Sequence, residues 1–258
     1  MEKVYIVAAK RTPIGSFGGT LKDISAGNLG SIAIKAALEQ GKVAPELVDE
    51  VIVGNVVGAG QGMGIGRQAA LYAGIPESVP AYTLNMVCGS GMKTVMDAVS
   101  HIRSGDASVV VAAGVEVMSQ IPFIVPSNIR DGHKMGNMNL TDLLINDGLT
   151  DVFNQYHMGK TAENVAREVG INREQQDEYA LASQMKAVAA IEAGKFVDEI
   201  VAVDVKKRKE TIVFDTDEYP KANATLSGLE KLRPAFEKEG TVTACLLYTS
   251  PSPRDRFL

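Results

Sequence analysis

The 258-residue sequence has no tryptophan, and only 5% of its residues are aromatic. So few aromatic side chains cannot supply a row of stacking platforms for single-stranded nucleic acid. A net charge of −5 at pH 7 argues against nucleic acid or an anionic membrane surface as the main partner. The sequence also lacks an apolar run long enough to span a bilayer. We therefore expect neither a nucleic-acid nor a membrane partner.

Cysteine is scarce as well, since only Cys88 and Cys245 are present. They lie far apart and without metal-type spacing, so neither a disulfide framework nor a zinc site is expected. Met1–Lys3 lead directly into the apolar run Val4–Ala8, without the hydrophobic region and cleavage site of a signal peptide. This pattern predicts a cytoplasmic protein.

Short apolar runs alternate with helical patterns in the first half, which predicts an α/β layered core. The predicted strands are Val4–Ala8, Val51–Val53, the strand-like run Tyr82–Val87, and Ser108–Ala112. The predicted helices are Ala26–Gln40, closed by Gly41, then Arg67–Ala73 and Met92–Arg103. Met92 and Met96 share a face of the last helix with other apolar residues, so we expect them to fill the core.

The pattern changes after residue 119. Residues 120–139 are rich in Met, Asn, Pro and Gly, and helical periodicity returns at Thr161–Glu168 and Arg173–Ala193. Asn172 and Gln175 fit a capping box for the second of these helices, and Gly194 fits its C-terminal end. Phe196–Val213 is strand-like but is broken by a basic run. We interpret residues 1–119 as the core and 120–244 as an inserted α+β lobe.

The final segment, 245–258, matches neither region. It strings Ser-Pro-Ser-Pro-Arg-Asp-Arg after a short apolar run, directly beyond the well-patterned residues 240–244. A disordered C-terminal tail is one interpretation. The interpretation that we prefer is foreign sequence, of the kind that read-through at the end of a cut-off gene produces.

Cys88 stands in the segment Asn-Met-Val-Cys-Gly-Ser-Gly-Met, between a strand-like run and a predicted helix start. A thiolate there would face the unsatisfied N–H groups and the positive end of the helix dipole, which stabilise negative charge. The small residues Gly89, Ser90 and Gly91 would let a bulky thioester approach the backbone. A thiolate also exchanges acyl groups readily with another thiol. A buried structural cysteine at a glycine turn stays open on these residues alone.

Six blocks of the sequence, in the same order, resemble the thiolase family. They are residues 8–15 (AAKRTPIG), 85–91 (NMVCGSG), 147–151 (DGLTD), 155–159 (QYHMG), 159–164 (GKTAEN) and 232–236 (LRPAF). They run in family order across residues 1–244, and Tyr156–Gly159 is similar to the short-chain, acetyl-transferring type. The resemblance implies a thiolase-like layered fold, a homotetramer or dimer, and coenzyme A with acetyl-CoA or acetoacetyl-CoA as partners. It implies no cofactor, because the coenzyme A thioesters are substrates.

Carried over residue by residue, the resemblance makes Cys88 the nucleophile that becomes acetylated. It implies substrate or coenzyme A contacts at Leu149, His157, Met158, Lys221 and Ala244. Lys221 stands where the family often has an arginine near the adenine and phosphates. Residues 120–139 match the loop that builds tetramers.

The resemblance also identifies family motifs that these 258 residues lack. They are an Asn-Glu-Ala-Phe block, a Gly-His-Pro block whose histidine activates the nucleophile, and a Cys-Gly-Gly-Gly block with a second catalytic cysteine. The Asn-Ala-Ser-Gly segment expected after Ala244 is also replaced. We therefore expect this chain alone to be nearly inactive and prone to aggregate. Two alternatives stay open, a 3-ketoacyl-CoA thiolase for longer chains and a non-catalytic fragment that binds coenzyme A or assembles with other subunits.

Overall fold

A computed structural model describes residues 3–245, and these form two compact units. Unit 1 comprises the residues up to Gly148 together with Val197–Glu218, and unit 2 comprises Leu149–Phe196 together with the residues from Tyr219 onward. These limits differ from the expected division into a core, residues 1–119, and an inserted lobe, residues 120–244. That division stays a prediction. The expected foreign tail, 245–258, lies outside the described residues except for Cys245.

The helices and strands are short to medium in length. The helices are α1 (Ala26–Gly41), α2 (Ile65–Tyr72), α3 (Ser90–Ser104), α4 (Met158–Val169), α5 (Arg173–Glu192) and α6 (Leu226–Glu230). The strands are β1 (Glu50–Gly54), β2 (Ala81–Leu84), β3 (Val110–Gly114), β4 (Phe123–Ile124), β5 (Thr141–Asp142), β6 (Thr150–Asp151), β7 (Tyr156–His157), β8 (Val203–Lys206) and β9 (Thr211–Phe214). None of the helices in residues 3–245 combines the length and apolar character that crossing a membrane requires.

A parallel three-stranded sheet organises unit 1. Strand β1 lies between β2 and β3, and Val51 is paired with Ala81 on one side and Val111 on the other. The connections between these strands contain α2 and α3, as parallel pairing requires. Val51, Ile52 and Val53 are all 0% exposed, as expected for a central parallel strand covered on both faces. The α/β core predicted from the sequence is confirmed.

Helices α1 and α2 pack against each other and against this sheet. Ile34 and Leu38 of α1 join Ala69 of α2 and the valines at 51 and 53 of β1 in one buried cluster. This spacing of apolar residues is what predicted the helix from residue 26 onward. The residue that closes α1 in the left-handed conformation is Lys42 (φ 53°), rather than the expected Gly41.

Two expectations for unit 1 are wrong. The run Val4–Ala8 forms no strand among the described residues, and Tyr5, Ile6 and Val7 are 72%, 80% and 68% exposed, because no neighbouring strand pairs with them. The expected core residues Met92 and Met96 are 52% and 55% exposed. Helix α3 buries its small residues against the sheet instead, so its apolar stripe faces outward.

Other boundaries shift by a few residues. Helix α2 starts at Ile65 rather than Arg67, and β3 starts at Val110 rather than Ser108. The strand-like segment Phe196–Val213 contains only β8 and part of β9, which form an antiparallel hairpin around the basic run. Hydrogen bonding decides these limits, and an apolar pattern alone does not locate them.

Unit 2 contains the β6–β7 hairpin and helices α4, α5 and α6. The predicted capping box of α5 is confirmed: the Asn172 side chain accepts from the Gln175 N–H, and the Gln175 side chain accepts from the Asn172 N–H, both at 2.9 Å. Arg173 donates to the carbonyl oxygens of Leu229 and Leu232 and holds α6 beside α5. Helix α4 begins at Met158, three residues before the expected start.

Candidate active site

Cys88 lies in the turn that joins β2 to α3, and its side chain is exposed. The N-cap of α3 is Gly89, which has no side chain that could accept from the first turn of the helix. The start of a helix carries unsatisfied N–H groups and a partial positive charge. The thiol of Cys88 is therefore both accessible and next to a backbone site that favours an anion.

A network of hydrogen bonds holds this turn in a strained shape. Val87 has φ 48°, which is an outlier for a β-branched residue. The Ser90 hydroxyl accepts from the Met86 N–H at 2.8 Å and donates to the Val87 carbonyl at 2.7 Å. The Asn85 side chain accepts from the Val87 N–H at 2.8 Å. Strain that the surroundings over-determine is typical of functional turns.

Two glycines allow α3 to start this close to the sheet. Gly54 and Gly114 are the last residues of β1 and β3. A Cβ on Gly54 would lie 2.6 Å from the carbonyl carbon of Ser90, and one on Gly114 would lie 3.3 Å from the Cα of Gly91. Any side chain at residue 54 would therefore displace the first turn of α3. The carboxyl ends of the parallel strands thus fix where the turn that carries Cys88 lies.

Three polar side chains that follow these strands join the loops around Cys88. Glu116, after β3, accepts from the N–H groups of Val56 at 2.8 Å and Val57 at 3.2 Å. The Asn55 side chain donates to the same carboxylate, and the Asn85 side chain donates to the Val56 carbonyl. Glu116 and Asn55 were not predicted from the sequence, although a polar residue within two positions of the end of each parallel strand was a usable signal.

The remaining predicted site residues lie in unit 2. Leu149 ends a π turn and is partly buried. His157 is the N-cap of α4, and its Nδ1 accepts from the Gly159 N–H at 2.9 Å. Met158 is the first residue of α4 and is 44% exposed. His157 and Met158 therefore present adjacent side chains at one helix end.

Lys221 and Ala244 lie in the same part of unit 2. The Lys221 N–H donates to the Gln184 side chain at 2.8 Å, and Ala244 is exposed. Burial raises the pKa of the neighbouring Cys245 thiol, Asp177 raises it further, and the positive charge of Lys221 opposes both. Lys221 is thus close to the residue after Ala244, and Cys245 is poorly suited to act as a thiolate.

Glu163 anchors the segment that leads to Ala244, a role not predicted from the sequence. Its side chain is 1% exposed and accepts from the N–H groups of Thr241 at 2.9 Å and Val242 at 2.8 Å. A Cβ on Gly240 would lie 2.1 Å from the Glu163 Oε1, so only glycine fits there. Glu163 shares the buried face of α4 with Gly159 and Ala166, which the sequence pattern did not indicate.

The described residues contain no group of three or more His, Cys, Asp or Glu side chains that could hold a metal ion. His101 lies in the last turn of α3, where its Nδ1 is 2.6 Å from the Glu50 carboxylate. His133 contacts the Gly136 carbonyl within an exposed loop. Neither histidine belongs to the turn that carries Cys88.

Comparison with known proteins shows which family has this sequence and fold. A family model described as Thiolase, N-terminal domain, matches residues 4–247. An acetyl-CoA acetyltransferase from Cupriavidus necator is 55% identical over 245 residues, and one from Escherichia coli is 52% identical over 244. Each alignment covers 95% of this chain and 62% of the relative, so the chain spans less than two thirds of their length.

A solved structure gives the same result for the fold. The crystal structure of the Bacillus anthracis acetyl-CoA acetyltransferase is similar with a TM-score of 0.90 and 41% sequence identity. The similarity covers 93% of this chain and 60% of that chain. Sequence and structure therefore agree on the family, and the thiolase-like α/β fold is confirmed.

Proposed function

The chain belongs to the thiolase family, and from that premise we propose that the protein is an acetyl-CoA C-acetyltransferase whose acyl carrier is Cys88. The observation that carries the proposal is the exposed Cys88 in a strained strand-to-helix turn at the start of α3. This arrangement parallels the nucleophile elbow of hydrolases, in which a tight turn projects the attacking atom.

The reaction runs in two halves. The Cys88 sulfur attacks the thioester carbonyl of acetyl-CoA, or the ketone carbonyl of acetoacetyl-CoA. Coenzyme A leaves as a thiolate in the first case and acetyl-CoA leaves as a carbanion equivalent in the second; each takes up a proton. In the second half the α-carbon of a second acetyl-CoA, which gives up a proton, or the sulfur of coenzyme A, which gives up its thiol proton, bonds to the acetyl carbonyl carbon. The bond from that carbon to Cys88 breaks, and the Cys88 sulfur takes up a proton. This ping-pong route needs only coenzyme A and its thioesters as substrates.

We assign the coenzyme A contacts to Leu149, His157, Met158, Lys221 and Ala244. Met158 and Ala244 have exposed surface for an acyl or pantetheine group, and Lys221 supplies a cation for a phosphate. A homotetramer is part of the proposal, supported by exposed apolar side chains in the loop at residues 120–139, where Phe123 is 60% and Met135 is 91% exposed.

The activity of these 258 residues on their own is expected to be low. The family motifs with the activating histidine and the second cysteine are absent from the sequence. Loss of a positioned base costs about 10²–10⁴-fold, and loss of oxyanion donors costs roughly 10²–10³-fold. Robust thiolysis of acetoacetyl-CoA by the purified chain would contradict this expectation.

The first half-reaction gives the sharper test. The chain is incubated with acetyl-CoA for long times, and acetylation is located by intact mass and peptide mapping. We expect one acetyl group on Cys88, in the unchanged chain and in the matched Cys245→Ser control, and none in Cys88→Ser. Bound coenzyme A without acetylation would favour the non-catalytic binding fragment. If a longer acyl-CoA reacts faster than acetyl-CoA, the longer-chain 3-ketoacyl-CoA thiolase is favoured instead.

A further inference from the structure

Glu116 contacts the loop at residues 55–57 with both oxygens of its carboxylate. Its Oε2 accepts from the Val56 N–H at 2.8 Å, and its Oε1 accepts from the Val57 N–H and from the Asn55 side chain, both at 3.2 Å. An ionised carboxylate accepts on both oxygens, whereas an amide has a donor in place of one of them. The three donors therefore match a glutamate, and a glutamine would turn its own N–H groups toward at least one of them.

Asn55 holds the start of this loop against the ends of the neighbouring strands. It follows β1 directly and is only 5% exposed. Its N–H donates to the carbonyl of Leu84, the last residue of β2, at 3.1 Å. Its side chain donates to the carbonyl of Val115, directly after β3, at 2.9 Å. The loop thus begins at a fixed place, and Glu116 orients the two residues that follow.

Asn85 connects the loop to the turn that carries Cys88. Its Nδ2 donates to the Val56 carbonyl at 3.0 Å, and its Oδ1 accepts from the Val87 N–H at 2.8 Å. The reverse assignment of the amide would place oxygen against oxygen and N–H against N–H, so these contacts fix its orientation. Val87 immediately precedes Cys88 and has φ 48°, a conformation that a β-branched residue keeps only when its surroundings hold it.

One peptide group joins Glu116 to Asn85. The Val56 carbonyl, which accepts from Asn85, and the Val57 N–H, which donates to Glu116, belong to the same peptide bond. A peptide bond is planar and trans, so its carbonyl and its N–H point in opposite directions and turn together. Any change that frees the N–H from Glu116 therefore lets the carbonyl turn away from Asn85.

From this path of hydrogen bonds we infer that Glu116 is a positioning residue for Cys88, which acts through the Val56–Val57 peptide group and Asn85 on the strained Val87. The inference rests on the proposed function in taking Cys88 as the acyl carrier. A thiolate at the start of α3 is stabilised by the helix dipole. If Val87 relaxed, the turn would carry the sulfur away from that position, and fewer thiols would be ionised at a given pH.

The rate at which iodoacetamide alkylates Cys88 tests this role, measured over the pH range in which a thiol ionises. All variants carry Cys245→Ser, so that Cys88 is the only thiol in the chain. Glu116→Asp keeps the charge but shortens the side chain, and Glu116→Gln keeps the length but loses one acceptor oxygen. We expect both to slow alkylation at neutral pH by about 2- to 5-fold, the effect of a helix start on a charged group, and to move the pH profile to higher pH.

The two Glu116 variants also separate positioning from charge. A carboxylate that acted on the thiol only through space would leave Glu116→Asp unchanged and make Glu116→Gln faster, because removal of a negative charge favours a thiolate. Either of these results would overturn the inference. The matched control is Glu46→Gln, an exposed glutamate in the turn before the amino end of β1, and its pH profile should not change.

Asn85→Ala tests the second half of the path without a change in charge. We expect it to slow alkylation as much as Glu116→Asp does. If both residues act through the same peptide group, the double variant should be no slower than the slower single variant. Losses that multiply would show independent effects and overturn the inference. So would a lower urea midpoint in the Glu116 variants with an unchanged pH profile, because Glu116 would then only stabilise the fold.

Acetylation by acetyl-CoA, followed by intact mass, tests the proposed function separately. Acetylation of Cys88 in the unchanged chain, with normal alkylation in both Glu116 variants, would overturn the inference and leave the proposed function standing. Failure of acetylation, with slowed alkylation in the Glu116 and Asn85 variants, would count against the proposed function while the positioning of the thiol stands. Acetylation together with slowed alkylation supports both.

Discussion

Two apolar runs of unit 1 have similar composition and opposite environments. Val51–Val53 forms the middle of β1 and is completely buried, whereas Tyr5–Val7 is between 68% and 80% exposed. The first run has a parallel strand on each side, and the second has none among residues 3–245. Strand formation therefore depends on available partners as much as on apolar side chains.

The exposed run is held at its end by polar contacts instead of a ladder. Arg11 pairs with Asp217 at 2.7 Å and also with Glu199, and its backbone bridges to the segment before β8. A few residues later, the Glu218 carboxylate accepts from Ser16 and Thr20. The two runs thus differ in which forces position them, burial for one and charge-assisted hydrogen bonds for the other.

The largest effect is expected from a matched pair of isoleucines. Ile52 is 0% exposed and Ile6 is 80% exposed. Ile52→Ala should lower the free energy of unfolding by about 2–5 kcal/mol, because it leaves a cavity in a closed core. Ile6→Ala should change it by less than about 0.5 kcal/mol. Urea unfolding measures both, and a large loss in Ile6→Ala would show that the first run is covered in solution.

A pair of glycines tests how the buried strand positions the turn that carries Cys88. Gly54→Ala places a methyl group against the backbone of Ser90, whereas Gly91 has no atom within 4 Å of its added Cβ. We expect Gly54→Ala to cost about 1–3 kcal/mol, as overpacking does. Gly91→Ala should be neutral or stabilising, since alanine favours a helix by up to about 1 kcal/mol. Equal effects in urea unfolding would contradict the close approach at Gly54.

Local signals explain what could be predicted from the sequence. Three correctly predicted features depend only on residues that are neighbours along the chain: the capping box at Asn172, the periodicity of α1 and the setting of Cys88. The local sequence pattern is therefore enough to predict them. Whether Met92 or Tyr5 is buried depends on which residues from distant parts of the chain pack against it, and periodicity does not report that.

The supporting contacts of the site could not be predicted for a related reason. Glu163 holds residues 241 and 242, nearly eighty positions away, and the stack of His157 on Phe236 joins equally distant parts of the chain. Each of these residues has an ordinary role within its own segment. Resemblance to the thiolase family predicted a coenzyme A contact at His157, but only the structure shows that its ring contacts Gly159 and Phe236.

The smallest expected effect is on how the free energy of unfolding changes in acid, and it concerns Glu218, which anchors the segment after the exposed run. Burial opposes ionisation of Glu218, but hydrogen bonds from Thr20 and Ser16 outweigh it and hold the pKa of Glu218 below its ordinary value. A carboxylate with a depressed pKa stabilises the fold above its unfolded-state pKa, and this contribution is lost as the pH falls through the folded-state pKa.

Glu218→Gln should therefore lower stability at neutral pH by at most about 1 kcal/mol, because solvent screens a partly exposed anchor. The difference from the unchanged chain should begin to shrink as the pH falls to about 4.3, the ordinary glutamate pKa, and should vanish only below the lower folded-state pKa of Glu218. Urea unfolding at several pH values measures it, with Glu210→Gln, an exposed carboxylate in the β8–β9 turn, as the matched control. If the difference persisted in acid, the side chain would act through packing, and the contrast between a buried run and an electrostatically anchored one would fail at this residue.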